Sequence, residues 1–274
     1  MKRFEELVYR ALIKEVELTP KPGLVDRNNN GSHRDMSIDT FYKSSRAIKP
    51  FMRRFYVCGK EALHVEGKVL FQRLKEIGKE CEKEMYLATG GVNTHKGIVF
   101  SFAVIFGALG RLEARYQTFG YEQLQNEIKE ICQGLVKRDL LNNTRVTTSG
   151  ERLFKETKYA GIRDEAQNGY PLVFQYSLPF YAKQEQLYGE DVALKLTLLF
   201  IMSRATDSNI FARGGVRAMK FVRLKSKILL DEADIKNLDK KLIKFDKEMI
   251  GKNLSAGGSA DLLCLTWFLS KVDL

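Results

Sequence analysis

The chain has 274 residues, of which 44% are hydrophobic, 29% are charged and only 5 are proline. That composition excludes a disordered or fibrous chain, and the length suits one large domain or two modest ones. The 45 Lys and Arg against 34 Asp and Glu leave +11 at pH 7, which favours anionic partners: phosphorylated small molecules, nucleic acid or acidic lipid.

The apolar residues recur at helical spacing along almost the whole chain. Phe4, Leu7, Val8, Ala11, Leu12 and Val16 form a first stripe; Leu124, Ile128, Ile131 and Leu135 a second; Leu238, Leu242, Phe245 and Met249 a third. The pattern predicts helices near 3–17, 37–57, 61–88, 96–115, 121–141, 150–157, 172–188, 190–205, 213–229, 233–250 and 259–271. Pro50 and Pro179 are expected to kink or divide their segments. No run alternates apolar with polar residues between turn signals, so no strand is predicted. The fold expected is all-α: a single compact domain of about ten helices over residues 1–274, with its site on Gly- and Asp-rich loops at helix ends.

Targeting and redox signals are sparse. Met1-Lys2-Arg3-Phe4-Glu5-Glu6 turns acidic where a signal peptide would carry an apolar run. Gly97–Gly110 is uncharged but shorter than the roughly 20 residues a membrane span needs, and reads as a buried core helix. Without a secretion signal, the Asn-x-Ser/Thr triplets at Asn30, Asn142 and Asn253 carry no implication. Cys58, Cys81, Cys132 and Cys264 are widely spaced, with no Cys-x-x-Cys pair, and read as reduced thiols of a cytoplasmic protein.

Five connecting segments are dense in small, charged and amide residues: 19–36, 89–97, 161–166, 207–215 and 253–261. Rigid scaffolds place their binding groups on such loops. Gly90-Gly91, with Asn93, Thr94, His95 and Lys96, precedes the most apolar helix; Gly257-Gly258-Ser259 precedes another; Gly214-Gly215 follows Arg213. Glycine lets the backbone approach a ligand, and free N–H groups at a helix start favour phosphate, to which Lys96 and Arg213 add charge. Neither a Walker-type G-x-x-x-x-G-K-[ST] nor a strand-linked G-x-G-x-x-G is present, so any nucleotide site must be built on helix ends.

The acidic residues of these loops are Asp26, Asp35, Asp164, Glu165, Asp207 and Asp261, with Glu151 at a helix start. They suit Mg²⁺ shared with substrate phosphates, acid–base work, or an oxocarbenium-like sugar in glycosyl transfer. Structural duties compete: Thr148-Ser-Gly-Glu151 fits a capping box, Asp207 an Asx-turn and Asp261 a first-turn dipole partner. Of the three histidines, His33 and His95 sit in Gly-rich segments and His64 in a helical stretch; none has zinc spacing. Arg213, Arg217, Lys220, Arg223 and Lys227 would form one basic helix face, either solvated or a cradle for polyphosphate or nucleic acid.

These segments resemble a known family. Glu15-Val-Glu-Leu-Thr-Pro-Lys-Pro-Gly-Leu-Val-Asp-Arg27 with Gly31, His33, Asp35 and Met36 is similar to the opening of triphosphoribosyl-dephospho-coenzyme A synthases. Thr89–Gly97 resembles their central motif, and Gly161–Ala166 through Gly169-Tyr-Pro171, Asp207–Ile210 with Arg213–Gly215, and Asn253–Leu263 follow in order. Asp164 and Ala256 depart from the pattern, which has Gly and Pro there.

The resemblance implies an enzyme in which the 2′-hydroxyl of 3′-dephospho-coenzyme A displaces adenine from C1 of the ATP ribose. The product is the precursor of the citrate lyase acyl-carrier prosthetic group, or of the malonate decarboxylase one in a sister branch. On this reading Asp26, Asp35, Asp207 and Asp261 hold Mg²⁺ or steer the ribose. Lys21, Lys96, Arg163 and Arg213 meet phosphates, with Gly90, Gly91, Asn93, Thr94, Asn209, Gly257, Gly258 and Ser259 around them. Glu165 or Glu151 takes the hydroxyl proton, and His95 hydrogen-bonds phosphate or protonates adenine. A homodimer is expected, with neither nucleic-acid nor membrane partners. Two alternatives stay open at the sequence: a transferase using another acceptor hydroxyl, and a basic nucleic-acid-binding protein.

Overall fold

The computed structural model describes residues 2–141, 148–232 and 234–274; the Asn142 triplet lies outside them. Among the described residues thirteen α-helices follow one another and no strand occurs. They are α1 (Lys2–Glu17), α2 (Ile38–Ile48), α3 (Phe51–Lys60), α4 (Gly67–Thr89), α5 (Lys96–Arg115), α6 (Tyr121–Ile131), α7 (Ser149–Thr157), α8 (Ile162–Gln167), α9 (Leu178–Tyr188), α10 (Glu190–Met202), α11 (Ser208–Asp231), α12 (Leu238–Gly251) and α13 (Gly257–Ser270). The all-α expectation holds.

α5 forms the axis. It is apolar on every side, and 78% of its most hydrophobic window is buried against other helices. A helix hydrophobic all round must be enclosed, here by protein. Gly59 of α3 and Gly110 of α5 let the two helices approach backbone to backbone, because a Cβ at either would overlap main-chain atoms across the contact. Phe102 and Phe106 pack on Phe268 of α13 with ring centroids 5.4 and 5.6 Å apart, so α5 and α13 share one core. Arg111 is the buried charge of α5; it pairs with Glu127 and Glu130 of α6, which keeps it from being an unpaired ion.

Local departures from the expected helices have local causes. The 37–57 segment divides at Pro50, the N-cap of α3. Residues 61–66 are turn, which leaves His64 exposed. The 121–141 segment breaks after α6, where Gly134 has φ +70°, and resumes as a π-helical turn over Lys137–Leu141. A second π-helical segment, Leu172–Ser177, precedes Pro179 at the start of α9. α8 lies inside a segment expected to be a loop; six residues are too few to show periodicity. α11 begins at Ser208, five residues before the expected start, and is broken at Gly215, whose φ of 65° and ψ of −161° are not helical.

Candidate active site

Asp207 is the hinge of the site. As N-cap of α11, its Oδ1 accepts from the amides of Asn209 (2.9 Å) and Ile210 (3.3 Å). Its Oδ2 accepts from Ser259 N (2.8 Å) and Ser259 Oγ (3.0 Å) in the first turn of α13. One carboxylate thus caps two helix N-termini, where the macrodipole favours negative charge. The glycines of 257–258 make the approach possible: a Cβ on Gly257 would stand 2.7 Å from Asn209 Nδ2, and one on Gly258 3.2 Å from the Asp207 carboxyl carbon.

A second carboxylate reaches a third helix start. Asp261 lies so close to Gly97, in the first turn of α5, that a Cβ there would overlap its Oδ2. It accepts no hydrogen bond among the described residues. Burial, then the charges of Glu15 and Asp207, push its pKa well above the usual carboxylate range. Burial also raises Asp207, against the four hydrogen bonds that favour its ionised form. The starts of α5, α11 and α13 therefore meet around two carboxylates that repel one another.

Lys21 and His95 sit beside this pair. Lys21, 2% exposed, is paired with Glu15 of α1 and donates to the Glu15 carbonyl at 2.7 Å. His95, 3% exposed, is the N-cap residue of α5; its Nδ1 is 2.5 Å from Ser44 Oγ of α2, and its Nε2 is buried without a hydrogen-bond partner among the described residues. Burial first, then the nearby Lys21 charge, lower the imidazole to about 3, so it is neutral at physiological pH.

A recess of about 110 Å³ opens on the other side of Asp207, lined among others by Glu165, Asp164, Arg204, Thr206, Ser208 and Gly258. Glu165 accepts from Leu172 N at 3.1 Å, yet burial outweighs that bond and raises its carboxyl to about 7. A group with that pKa exchanges protons readily at neutral pH. Arg204, at the same recess, lies over the Phe200 ring at 3.7 Å.

Other expected site residues support loops. Asp26 accepts from three backbone amides, Lys21 (2.9 Å), Asn28 (2.7 Å) and Asn29 (3.0 Å), and so folds the 19–36 segment. Asp246 of α12 completes that fold by accepting from Gly23 N (2.8 Å) and Asn29 Nδ2 (2.9 Å). Arg213 donates to Ser32 O (2.8 Å) and Asn253 Oδ1 (2.8 Å), tying the first motif to the last. Its Nη2 also faces His33 Nδ1 at 3.3 Å. Since arginine only donates, that nitrogen accepts and His33 Nε2 carries the proton toward Ser255 Oγ, 2.8 Å away. Burial and Arg213 lower His33 to about 4. Asp35, its side chain 64% exposed, is 3.8 Å from His33.

Gly90 and Gly91 end α4 in left-handed conformation, with the Gly91 amide returning to Tyr86 O at 2.8 Å. They border an open groove of about 550 Å³ on α4. Lys96 pairs with Glu82 at 2.9 Å, and its amide is held by Asn93 Oδ1 at 3.3 Å. Glu151 closes the capping box with Thr148 and lies 4.0 Å from Arg163, which also reaches Asp139. The basic face of α11 is divided: Arg223 turns back to Ala205 O and Thr206 Oγ1, while Arg217, Lys220 and Lys227 are exposed.

A family profile described as ATP:dephospho-CoA triphosphoribosyl transferase, CitG, matches residues 1–274. The chain belongs to that family. It is accordingly an enzyme, a pentosyltransferase. A protein of Citrobacter koseri (strain ATCC BAA-895 / CDC 4225-83 / SGSC4696) named probable 2-(5''-triphosphoribosyl)-3'-dephosphocoenzyme-A synthase is 38% identical over 270 residues, covering 97% of this chain and 89% of that protein. No solved structure matches the chain.

Glu15, Ser44 and Arg204 belong to the site geometry but were not among the residues the sequence singled out. Two had a signal. Glu15 falls on the apolar face of α1, four residues after Ala11 and three after Leu12, and Ser44 on the buried face of α2 between Phe41 and Ile48. A polar residue in a buried stripe needs a partner, and each has one.

Proposed function

We propose that this enzyme transfers the triphosphoribosyl group of ATP to the 2′-hydroxyl of 3′-dephospho-coenzyme A at the helix starts around Asp207, with Asp261 on one side and the recess lined by Glu165 on the other. In the reaction the 2′-oxygen bonds to C1 of the ATP ribose, the bond from C1 to the adenine nitrogen breaks, and the hydroxyl proton is balanced by the proton adenine takes up. The product serves the acyl-carrier prosthetic group of citrate lyase. The observation that carries this reading is the meeting of three helix N-termini around the buried Asp207 carboxylate and the half-buried Asp261 carboxylate, the latter accepting no hydrogen bond among the described residues. Helix starts receive phosphate, and carboxylates steady the positive character of a ribose losing its base.

The donor set fits Mg²⁺. Among the described residues no three His, Cys, Asp or Glu are grouped as a metal cage, but Mg²⁺ bound with substrate phosphates needs only one or two carboxylates. Asp261, which accepts no hydrogen bond among the described residues, would hold it beside the fully hydrogen-bonded Asp207, and the ion when bound would relieve their mutual repulsion and neutralise triphosphate oxygens. Asp26 and Asp35 are engaged in the 19–36 loop, and Asp26 acts by shaping it.

Glu165 is the proton-exchanging group for the attacking hydroxyl, because it lines the recess while Glu151 closes a cap. His95 acts as a neutral donor to phosphate; at about 3 its imidazolium is too scarce to protonate adenine. The test is adenine formation from ATP and Mg²⁺, with and without 3′-dephospho-coenzyme A, followed by chromatography and mass spectrometry. Adenine formed only with the acceptor, beside a product of the summed mass, supports the reading. Release without the acceptor, or none from folded protein, overturns it.

A further inference from the structure

Ser44 is 0% exposed and contacts two residues of the 89–97 motif at once. Thr94 Oγ1 donates to its oxygen at 2.7 Å, and His95 Nδ1 lies 2.5 Å from the same oxygen. Thr94 thus supplies a hydrogen to Ser44, and the single hydroxyl hydrogen of Ser44 has His95 Nδ1 as its acceptor. The opposite arrangement, with Nδ1 protonated, would turn two donors on Ser44 and leave its own buried hydrogen without that acceptor, a cost of about 1–3 kcal/mol.

Accepting at Nδ1 places the imidazole proton on Nε2, the buried atom with no partner among the described residues. The ring is held in place by more than this bond. Phe41 meets it edge-on with centroids 5.0 Å apart, and the His95 amide contacts Met85 Sδ at 3.3 Å. A fixed, buried N–H beside the Lys21 ammonium and without an acceptor is a donor prepared for an anionic oxygen.

We propose that Ser44, with Thr94 behind it, is a positioning residue that fixes His95 in its Nε2–H tautomer and so presents one neutral donor to a phosphate oxygen of the bound triphosphate. The identity of the acceptor rests on the transferase reading above; the tautomer does not.

The test therefore reads the tautomer in the protein without substrate, by two-bond ¹H–¹⁵N correlation of the histidine rings. The chain has 3 histidines, His95 is assigned by its loss in His95→Gln, and His33, fixed as Nε2–H by Arg213, is the internal reference. The proposal expects a bare Nδ1 and protonated Nε2 at His95 in the parent protein, a mixed or inverted tautomer in Ser44→Ala, and the parent pattern in Ser44→Thr. Protonated Nδ1 in the parent overturns it, and this spectrum decides whether or not the alanine variant folds. An unchanged tautomer in folded Ser44→Ala also overturns it. Where adenine release is measurable, Ser44→Ala should lower it roughly tenfold to a hundredfold and Ser44→Thr restore it. Absence of adenine release with the expected spectra would refute the transferase reading and leave the tautomer assignment standing.

Discussion

Gly97→Ala isolates the contact between the start of α5 and Asp261. By helix propensity alone the change is favourable, since alanine exceeds glycine by about 0.8–1 kcal/mol in a helix interior and less in a first turn. The added methyl has one obstacle, the Oδ2 atom of Asp261, which it would overlap. The carboxylate must retreat by more than about 1 Å to reach ordinary contact, and misplacement of that size at a reacting centre costs on the order of 10²-fold in rate. Stability and activity should therefore separate: a thermal midpoint within a few degrees of the parent, and adenine release down about a hundredfold. Gly91→Ala is the control, because its Cβ meets nothing within 4 Å although its φ is +91°; it should lose about 1 kcal/mol of stability and keep its rate. Gly97→Ala releasing adenine at more than about a third of the parent rate would refute the reasoning.

Three further changes follow from buried charges. The Glu165 carboxyl is raised from 4.5 to about 7, so between those pH values the folded protein keeps a proton that the unfolded chain has released. Stability from this group therefore falls as pH rises through the window, and Glu165→Gln should gain at most about 3 kcal/mol over the parent at pH 8 and nothing near pH 4 in urea unfolding. Lys21→Met strips the buried Glu15 of its partner and should cost about 3–5 kcal/mol, much of it regained in the Lys21→Met, Glu15→Leu double variant. Asp26→Asn turns an amide NH₂ toward backbone donors held by both carboxylate oxygens, so loss of activity should come with about 1–3 kcal/mol of instability, seen as a lower urea midpoint.

The helices were legible because the chain repeats one period almost throughout, and long stripes such as Lys2–Glu17 announce their ends as well as their faces. The five motifs were legible as loops because Gly, Asn and Asp cluster there. Their division of labour was not, because it depends on which helix ends meet. Asp207, read as a local turn, caps α11 and also reaches across to Ser259 of α13. Gly90-Gly91, read as the approach to α5, ends α4, since the residues between it and Lys96 separate the two functions. Arg213, read as a phosphate ligand, joins Ser32 to Asn253, partners far away in sequence. Ser44 had no loop motif around it, and only the packing of α2 against the 89–97 segment gave it a role.

Asp261→Asn tests the central claim most directly. Asp261 accepts no hydrogen bond among the described residues and is raised by burial and by Glu15 and Asp207, so removing its charge relieves repulsion and should leave the thermal midpoint unchanged or higher. If the reaction is run between Asp207 and Asp261, adenine release with 3′-dephospho-coenzyme A should fall by about 10²–10³-fold, as when a charge-stabilising group is removed from an active site. A folded Asp261→Asn protein with the parent's rate would contradict the account.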